Sequence, residues 1–203
     1  MKDAVVYIVD DIEANRDLLV CLMQTADLAS ESFASAEDFL DAFEPGPPAC
    51  LLLDVRMPGM NGLELQRHLV DQGLRIPIII VTAHSDVHIA IQAMKAGAFD
   101  FVEKPINNQQ VLDLALNAID ESRRIIAEED EVRAITDRLS CLTPREREVL
   151  DMIVDGEPNK RIAHSLGISE RTVEVHRSRV MEKMEAPSLA SLLKMTMRID
   201  PPA

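Results

Sequence analysis

No apolar run in this sequence approaches the roughly 18 residues of a membrane-spanning helix. The first residues lack the basic, apolar and small-residue order of a secretory signal. A cytoplasmic protein with no membrane contact is therefore expected. Cysteine is scarce: Cys21, Cys50 and Cys141 are widely spaced and odd in number. That argues against a disulfide framework and against a zinc site, and fits a reducing compartment. Glycine and proline are missing from 106 to 143, so neither breaks a helix there. Positive charge is scarce at the front, where residues 1–121 carry 7 Lys or Arg against 20 Asp or Glu. So acidic a segment does not bind nucleic acid or anionic membranes unaided.

What is present fills 203 residues, 47% of them apolar, enough for one large domain or two small ones. The net charge of −14 is unevenly placed. Residues 141–203 are neutral, with 10 basic and 10 acidic side chains, and within them 159–183 holds 6 basic against 3 acidic. Such different halves suggest two functions.

The front half alternates short apolar runs with helical patterns. AVVYIV (4–9), CLLL (50–53), IPIIIVT (76–82) and FDFVE (99–103) read as strands, and Ser32-Phe33 closes a weak one. Between them, Ala14 to Thr25, a segment capped by Ser35, 62–73 and a segment capped by Ser85 or Asp86 read as helices. Five βα repeats in this spacing predict an α/β, doubly wound, five-stranded parallel sheet, flavodoxin-like, over residues 1–121. From Asn107 the period becomes helical, as one long helix or two with a break, and 122–140 reads as a helical linker whose Glu128 to Glu131 form a solvated face. Residues 141–203 predict an all-α four-helix domain. Thr143, Pro144 and Glu146 open its first helix as a capping box, Gly156 and Gly167 end two helices, and Ser169 caps the third. A short helix, a Gly turn and a basic helix form a helix-turn-helix.

In CLLLDVRMPGMNG (50–62) an apolar strand runs directly into Asp54. An ionised carboxylate there must be solvated, paired or metal-bound. The other strands end on Asp10-Asp11, Thr82 and Lys104-Pro105. Carboxyl ends of parallel strands share one crevice. Singly, each residue has a plain reading: a helix cap for Asp10-Asp11, a turn cap for Asp54, a strand end for Thr82, a surface cation for Lys104. Together they describe a phosphoryl-accepting carboxylate. Magnesium would join the carboxylates, Lys104 would supply fixed charge, and the Thr82 hydroxyl would bond a phosphoryl oxygen. Arg56 and His84, at the rim, are expected to set the lifetime of the acyl phosphate.

IVDD (8–11), LLLDVRMPGMNG (51–62), VTAH (81–84) and FVEKP (101–105) resemble the receiver domain of two-component response regulators. The resemblance implies that Asp54 accepts phosphate from a histidine kinase. It implies a magnesium site with Asp11 and Asp54 as direct ligands, Asp10 held more loosely, and the main-chain carbonyl of Arg56 added. It also implies that Lys104 contacts the phosphate, that the Lys104–Pro105 bond is cis, and that Thr82 and Phe101 move on activation.

The tail resembles the LuxR-type helix-turn-helix of NarL/FixJ regulators and leans to the FixJ-like branch. The resemblance rests on LTPREREVL (142–150), Gly156, Asn159, Lys160, Ile162, Ala163, Leu166, Ile168, Ser169, Thr172, Val173, His176 and Lys183. Glu157, Met184 and Glu174 depart from the usual pattern. Val173, Val180 and Met184 follow helical spacing and read as core. Asn159, Lys160, Arg171, Thr172, His176, Arg177 and Lys183 are expected at the DNA, the cations among them on phosphates. Glu174, Val175 and Ser178 are the expected base-edge contacts.

The expected protein is a response regulator that dimerises on phosphorylation, binds double-stranded DNA and works with RNA polymerase. It is no turnover enzyme, only a slow autodephosphorylator. Two rivals use the same acids: a magnesium-dependent phosphatase with an aspartyl-phosphate intermediate, and a receiver acting only through protein contacts. The first is weakened because Arg56, not a second Asp, stands two residues beyond Asp54.

Overall fold

A computed structural model describes residues 4–83 and 87–199, the Val87 side chain excepted. The proposed caps Ser85 and Asp86, and His84, lie outside the described residues. The chain divides into two compact units, residues 1–126 and 127–203.

In the first unit β1 (Val5–Val9), β2 (Ala29–Phe33), β3 (Ala49–Asp54), β4 (Ile78–Ala83) and β5 (Asp100–Lys104) alternate with four helices. These are α1 (Glu13–Thr25), α2 (Ala36–Ala42), α3 (Gly62–Asp71) and α4 (Val87–Lys95). The strands are all parallel in the order β2-β1-β3-β4-β5. Side chains alternate across a strand, so both sheet faces are buried. Val6, Ile8, Cys50, Leu52, Ile79, Val81 and Val102 join α1 and the first part of α5 (Asn108–Ser140) in one core. Val9, Leu51, Leu53 and Ile80 meet Phe39, Leu65, Leu69 and Ala93 in the other. Truncating one such leucine to alanine costs about 2–5 kcal/mol.

The polar strand β2 is held by aromatic packing. Phe33 meets Tyr7 and Phe39 at ring-centroid distances of 6.3 and 5.6 Å. Such pairs contribute about 0.5–1.5 kcal/mol beyond area burial. Helix α3 begins with a capping box of Asn61 and Glu64, and Gly73 beyond its end takes φ +71°.

Helix α5 is one 33-residue helix, and its 127–134 stretch is exposed. In the second unit Ile135 and Leu139 pack with α6 (Pro144–Val154), α7 (Asn159–Leu166), α8 (Glu170–Lys183) and α9 (Leu189–Ile199) around Val149, Ile162, Val173, Val180, Met184 and Leu192. The Thr143 capping box, Pro144 at the first helical turn and the Ser169 cap all form as the sequence predicts. No helix among the described residues is long and apolar enough to cross a membrane.

Candidate phosphoryl-acceptor site and nucleic-acid interface

Parallel pairing places the carboxyl ends of β1, β3, β4 and β5 on one rim, with Asp54 opposite Val81 and Thr82 opposite Glu103. Asp10 and Asp54 are 1% and 7% exposed. Lys104 reaches between them, with Nζ 2.6 Å from Asp54 Oδ1 and 2.8 Å from Asp10 Oδ2. The structure therefore brings Asp10, Asp54 and Lys104 into contact across the sheet. Asp11 is exposed beside Asp10. Thr82 is buried, and its Oγ1 makes a long 3.4 Å contact to the Ala83 carbonyl. Phe101 is half-buried and packs against the core on the α4 side of the sheet. The Lys104–Pro105 peptide is cis.

The helix-cap reading of Asp10-Asp11 is replaced by another geometry. The N-cap of α1 is Ile12, without a side-chain cap, and its amide donates to Asp10 Oδ1 at 2.8 Å. Asp54 Oδ2 accepts from the Arg56 amide at 2.9 Å, which fixes the turn beyond β3. The same turn is closed by Gly62, whose amide donates to Val55 O at 3.1 Å. A Cβ on Gly62 would lie 2.3 Å from the Asp54 carbonyl oxygen, so only glycine allows this approach.

Burial raises the Asp54 carboxyl above its ordinary value. The Lys104 hydrogen bond and charge oppose that rise, Asp10 adds to it, and the Arg56 amide opposes it. At Lys104 burial acts to lower the ammonium, but hydrogen bonds and charges from Asp10 and Asp54 outweigh it and leave it raised.

Every donor the crevice offers to a cation is a hard oxygen, and Asp10, Asp11 and Asp54 together exceed the single charge of Lys104. That donor chemistry fits magnesium. Among the described residues no three His, Cys, Asp or Glu side chains stand gathered as a ready cage. Asp11 would have to turn inward to join the others.

Sequence reasoning passed over Asn15 and Arg16 in the first turns of α1. Asn15 donates to both oxygens of Asp10, and Arg16 donates to its carbonyl at 2.7 Å. Their signal was position: a helix that follows an acidic strand end turns its first residues back toward that end.

In the second unit α7 and α8 form the helix-turn-helix, with Gly167 left-handed between them. On α8, Arg171, Glu174, Val175, Ser178 and Arg179 are exposed, whereas Thr172, His176 and Arg177 are half-buried. On α7, Lys160 is exposed and Asn159 half-buried. Arg179, also exposed, was not among the expected contacts. Thr172 is tied to the cap, its Oγ1 lying 2.8 Å from Ser169 Oγ. Lys183 donates to Glu146 Oε2 at 2.7 Å and to the Cys141 carbonyl at 3.1 Å. Val173, Val180 and Met184 are core, as their spacing predicts.

Comparison with known proteins agrees with both halves. Residues 6–116 match the response regulator receiver domain, and 140–196 match the bacterial regulatory proteins of the luxR family. The chain is 42% identical to the transcriptional regulatory protein FixJ of Azorhizobium caulinodans, covering 95% of this chain and 91% of that one. It is 45% identical to the C4-dicarboxylate transport transcriptional regulatory protein DctR of Rhodobacter capsulatus, covering 94% and 98%. Among solved structures, the response regulator StyR superposes with TM-score 0.84 at 38% identity, over 97% of this chain and 99% of that one. Full-length FixJ from B. japonicum gives 0.59 at 37% identity, over all of both chains. The chain belongs to the two-component response regulators that join a receiver domain to a LuxR-type DNA-binding domain, in the FixJ-like branch.

Proposed function

We propose that residues 1–121 receive a phosphoryl group on Asp54 from a histidine kinase, that 122–140 link, and that 141–203 bind double-stranded DNA to regulate transcription with RNA polymerase. The observation that carries this reading is Lys104 Nζ at 2.6 Å from a buried Asp54 oxygen, on the carboxyl rim of a parallel sheet. An Asp54 oxygen attacks phosphorus, the phosphorus–nitrogen bond of the kinase's phosphohistidine breaks, and its electron pair returns to the imidazole. Lys104 stays beside the new acyl phosphate and offsets its charge. The Thr82 hydroxyl exchanges its long contact for a phosphoryl oxygen, and Phe101 turns into the space released. Asp11, Asp54 and the Arg56 carbonyl, with Asp10 nearby, would hold magnesium, which would supply charge neutralisation to the phosphoryl group. Water slowly reverses the modification, so the protein acts once per signal and is not a turnover enzyme. A cytoplasmic location suits both partners.

On the DNA, Lys160, Arg171, Arg177 and His176, with Asn159 and Thr172, meet phosphates, and Lys183 supports the end of α8. Glu174, Val175 and Ser178 face base edges. The test is labelling with acetyl phosphate in the presence of magnesium. Asp54→Asn should abolish it, and undiminished stoichiometric labelling of that variant would remove the assignment.

A further inference from the structure

Asp10 is the most enclosed acid of the crevice, and both its oxygens are hydrogen-bonded. An ionised carboxylate offers about four acceptor positions. Oδ1 accepts from Ile12 N at 2.8 Å and from Asn15 Nδ2 at 3.1 Å. Oδ2 accepts from Lys104 Nζ at 2.8 Å and from Asn15 Nδ2 at 3.0 Å. One amide nitrogen, on α1, thus bridges both oxygens with a shared N–H. Asn15 is neutral, so it satisfies lone pairs without cancelling the charge. Its neighbour Arg16 fixes the Asp10 main chain separately, at the carbonyl.

Two consequences follow for the other partners of Asp10. With both oxygens engaged by three donors, Asp10 has less to offer a cation directly. Lys104, meanwhile, shares Asp10 Oδ2 with Asn15 and lies nearer Asp54, at 2.6 against 2.8 Å. Without Asn15, both buried oxygens would lose the donor they share. Asp10 would then draw both a cation and the Lys104 ammonium more strongly, because a buried charged acceptor left unpaired is costly.

We infer that Asn15 is a positioning residue that divides Lys104 between Asp10 and Asp54, holding Asp10 back from the cation and leaving Lys104 free to follow the phosphoryl group. This rests on the reading of Asp54 as phosphoryl acceptor. It assigns a role to a side chain that contacts neither Asp54 nor, by this reading, the phosphoryl group.

The test measures two affinities in the full chain: magnesium alone, from amide NMR shifts of Ile12 and Arg56, and beryllofluoride at saturating magnesium, from fluorine NMR. Asn15→Leu keeps the shape of the side chain and removes its donors. The expected result is opposite movement. Magnesium binds about threefold more tightly and beryllofluoride about fivefold more weakly, the latter equivalent to about 1 kcal/mol. Asn15→Gln, which keeps the amide, should restore both toward wild type. Asn15→Ala repeats the truncation if the leucine variant folds poorly. Parallel weakening of both ligands would show a merely structural side chain, and unchanged affinities would show none of this role; either overturns the inference. Wild-type protein that ignores beryllofluoride would instead defeat the underlying assignment of Asp54.

Discussion

Lys183, the last residue of α8, donates to Glu146 Oε2 at 2.7 Å and so ties the second helix of the helix-turn-helix to the first turn of α6. The Lys183 hydrogen bond is the main reason the Glu146 carboxyl is lowered from 4.5 to about 2, and the Thr143 amide adds to it against the opposing effect of burial. A carboxyl depressed in the folded state stabilises fully above its unfolded value and loses that stabilisation as pH falls through the folded one. Protection of the Val149 and Val180 amides from hydrogen exchange should therefore decline between about pH 4.5 and 2. Glu146→Gln should begin with weaker protection at neutral pH and show a much flatter decline. Equal slopes in the two proteins would mean that the pair does not couple to folding.

The turn beyond Asp54 carries a second constraint. Gly59 has φ +74°, and a Cβ there would lie 2.8 Å from Glu37 Oε1, which accepts from the Met60 amide at 3.0 Å. Gly59→Ala should destabilise the receiver by about 1–2 kcal/mol through left-handed strain alone, with a further cost from displacing Glu37. Urea midpoints can separate the two. In a Glu37→Ala background the cost of Gly59→Ala should shrink, but not below the strain component. A cost unchanged by that background would show that Glu37 yields freely.

At the DNA, the exposed α8 side chains should fall into two classes. Arg171→Ala should weaken binding to all sequences alike and reduce the salt slope by about one. Glu174→Ala should change base preference with little loss of slope, because a carboxylate releases no phosphate counterion. Binding titrations over a range of salt, on promoter and scrambled DNA, distinguish them. A Glu174 variant with wild-type preference would take that residue off the base edge.

The sites at strand ends were legible because charge at the end of an apolar run is costly unless used, and Asp10, Asp54 and Lys104 do converge. Asn15 carried only the signal of its position, since an asparagine early in a helix has no periodic or charge signature. Strand β2 read as weak because ASESF does not alternate cleanly, and Phe33 anchors it through the rings of Tyr7 on β1 and Phe39 on α2. The sequence left α5 as one helix or two. Without Gly or Pro it runs unbroken, and Ile135 and Leu139 join the helical core of the second unit, a destination that a charged stretch around them conceals. The pairing of Lys183 with Glu146 was not legible because the two stand 37 residues apart, beyond any helical period.

Phosphorylation should turn a monomer into a dimer with the receiver as the joint. The motivation is the α4 surface, where Ile91 is 47% and Met94 38% exposed, close in sequence to the β5 residue Phe101. The modification adds about two negative charges, which should draw Thr82 toward Lys104 and free Phe101 to reshape this face. A shift from 1% to 99% active needs about 5.5 kcal/mol of differential stabilisation. Two tails held together on a two-fold site would then gain affinity through effective concentration, which a tail of zero net charge needs. Light scattering with and without beryllofluoride measures this directly. Molar mass should double with the mimic in wild type and remain monomeric in Ile91→Asp, whose carboxylate would be desolvated in the joint. Wild-type protein that stays monomeric at tens of micromolar with the mimic would refute the dimer. Protein dimeric in both states would move the joint to α5, and activation would then have to proceed by releasing the tails.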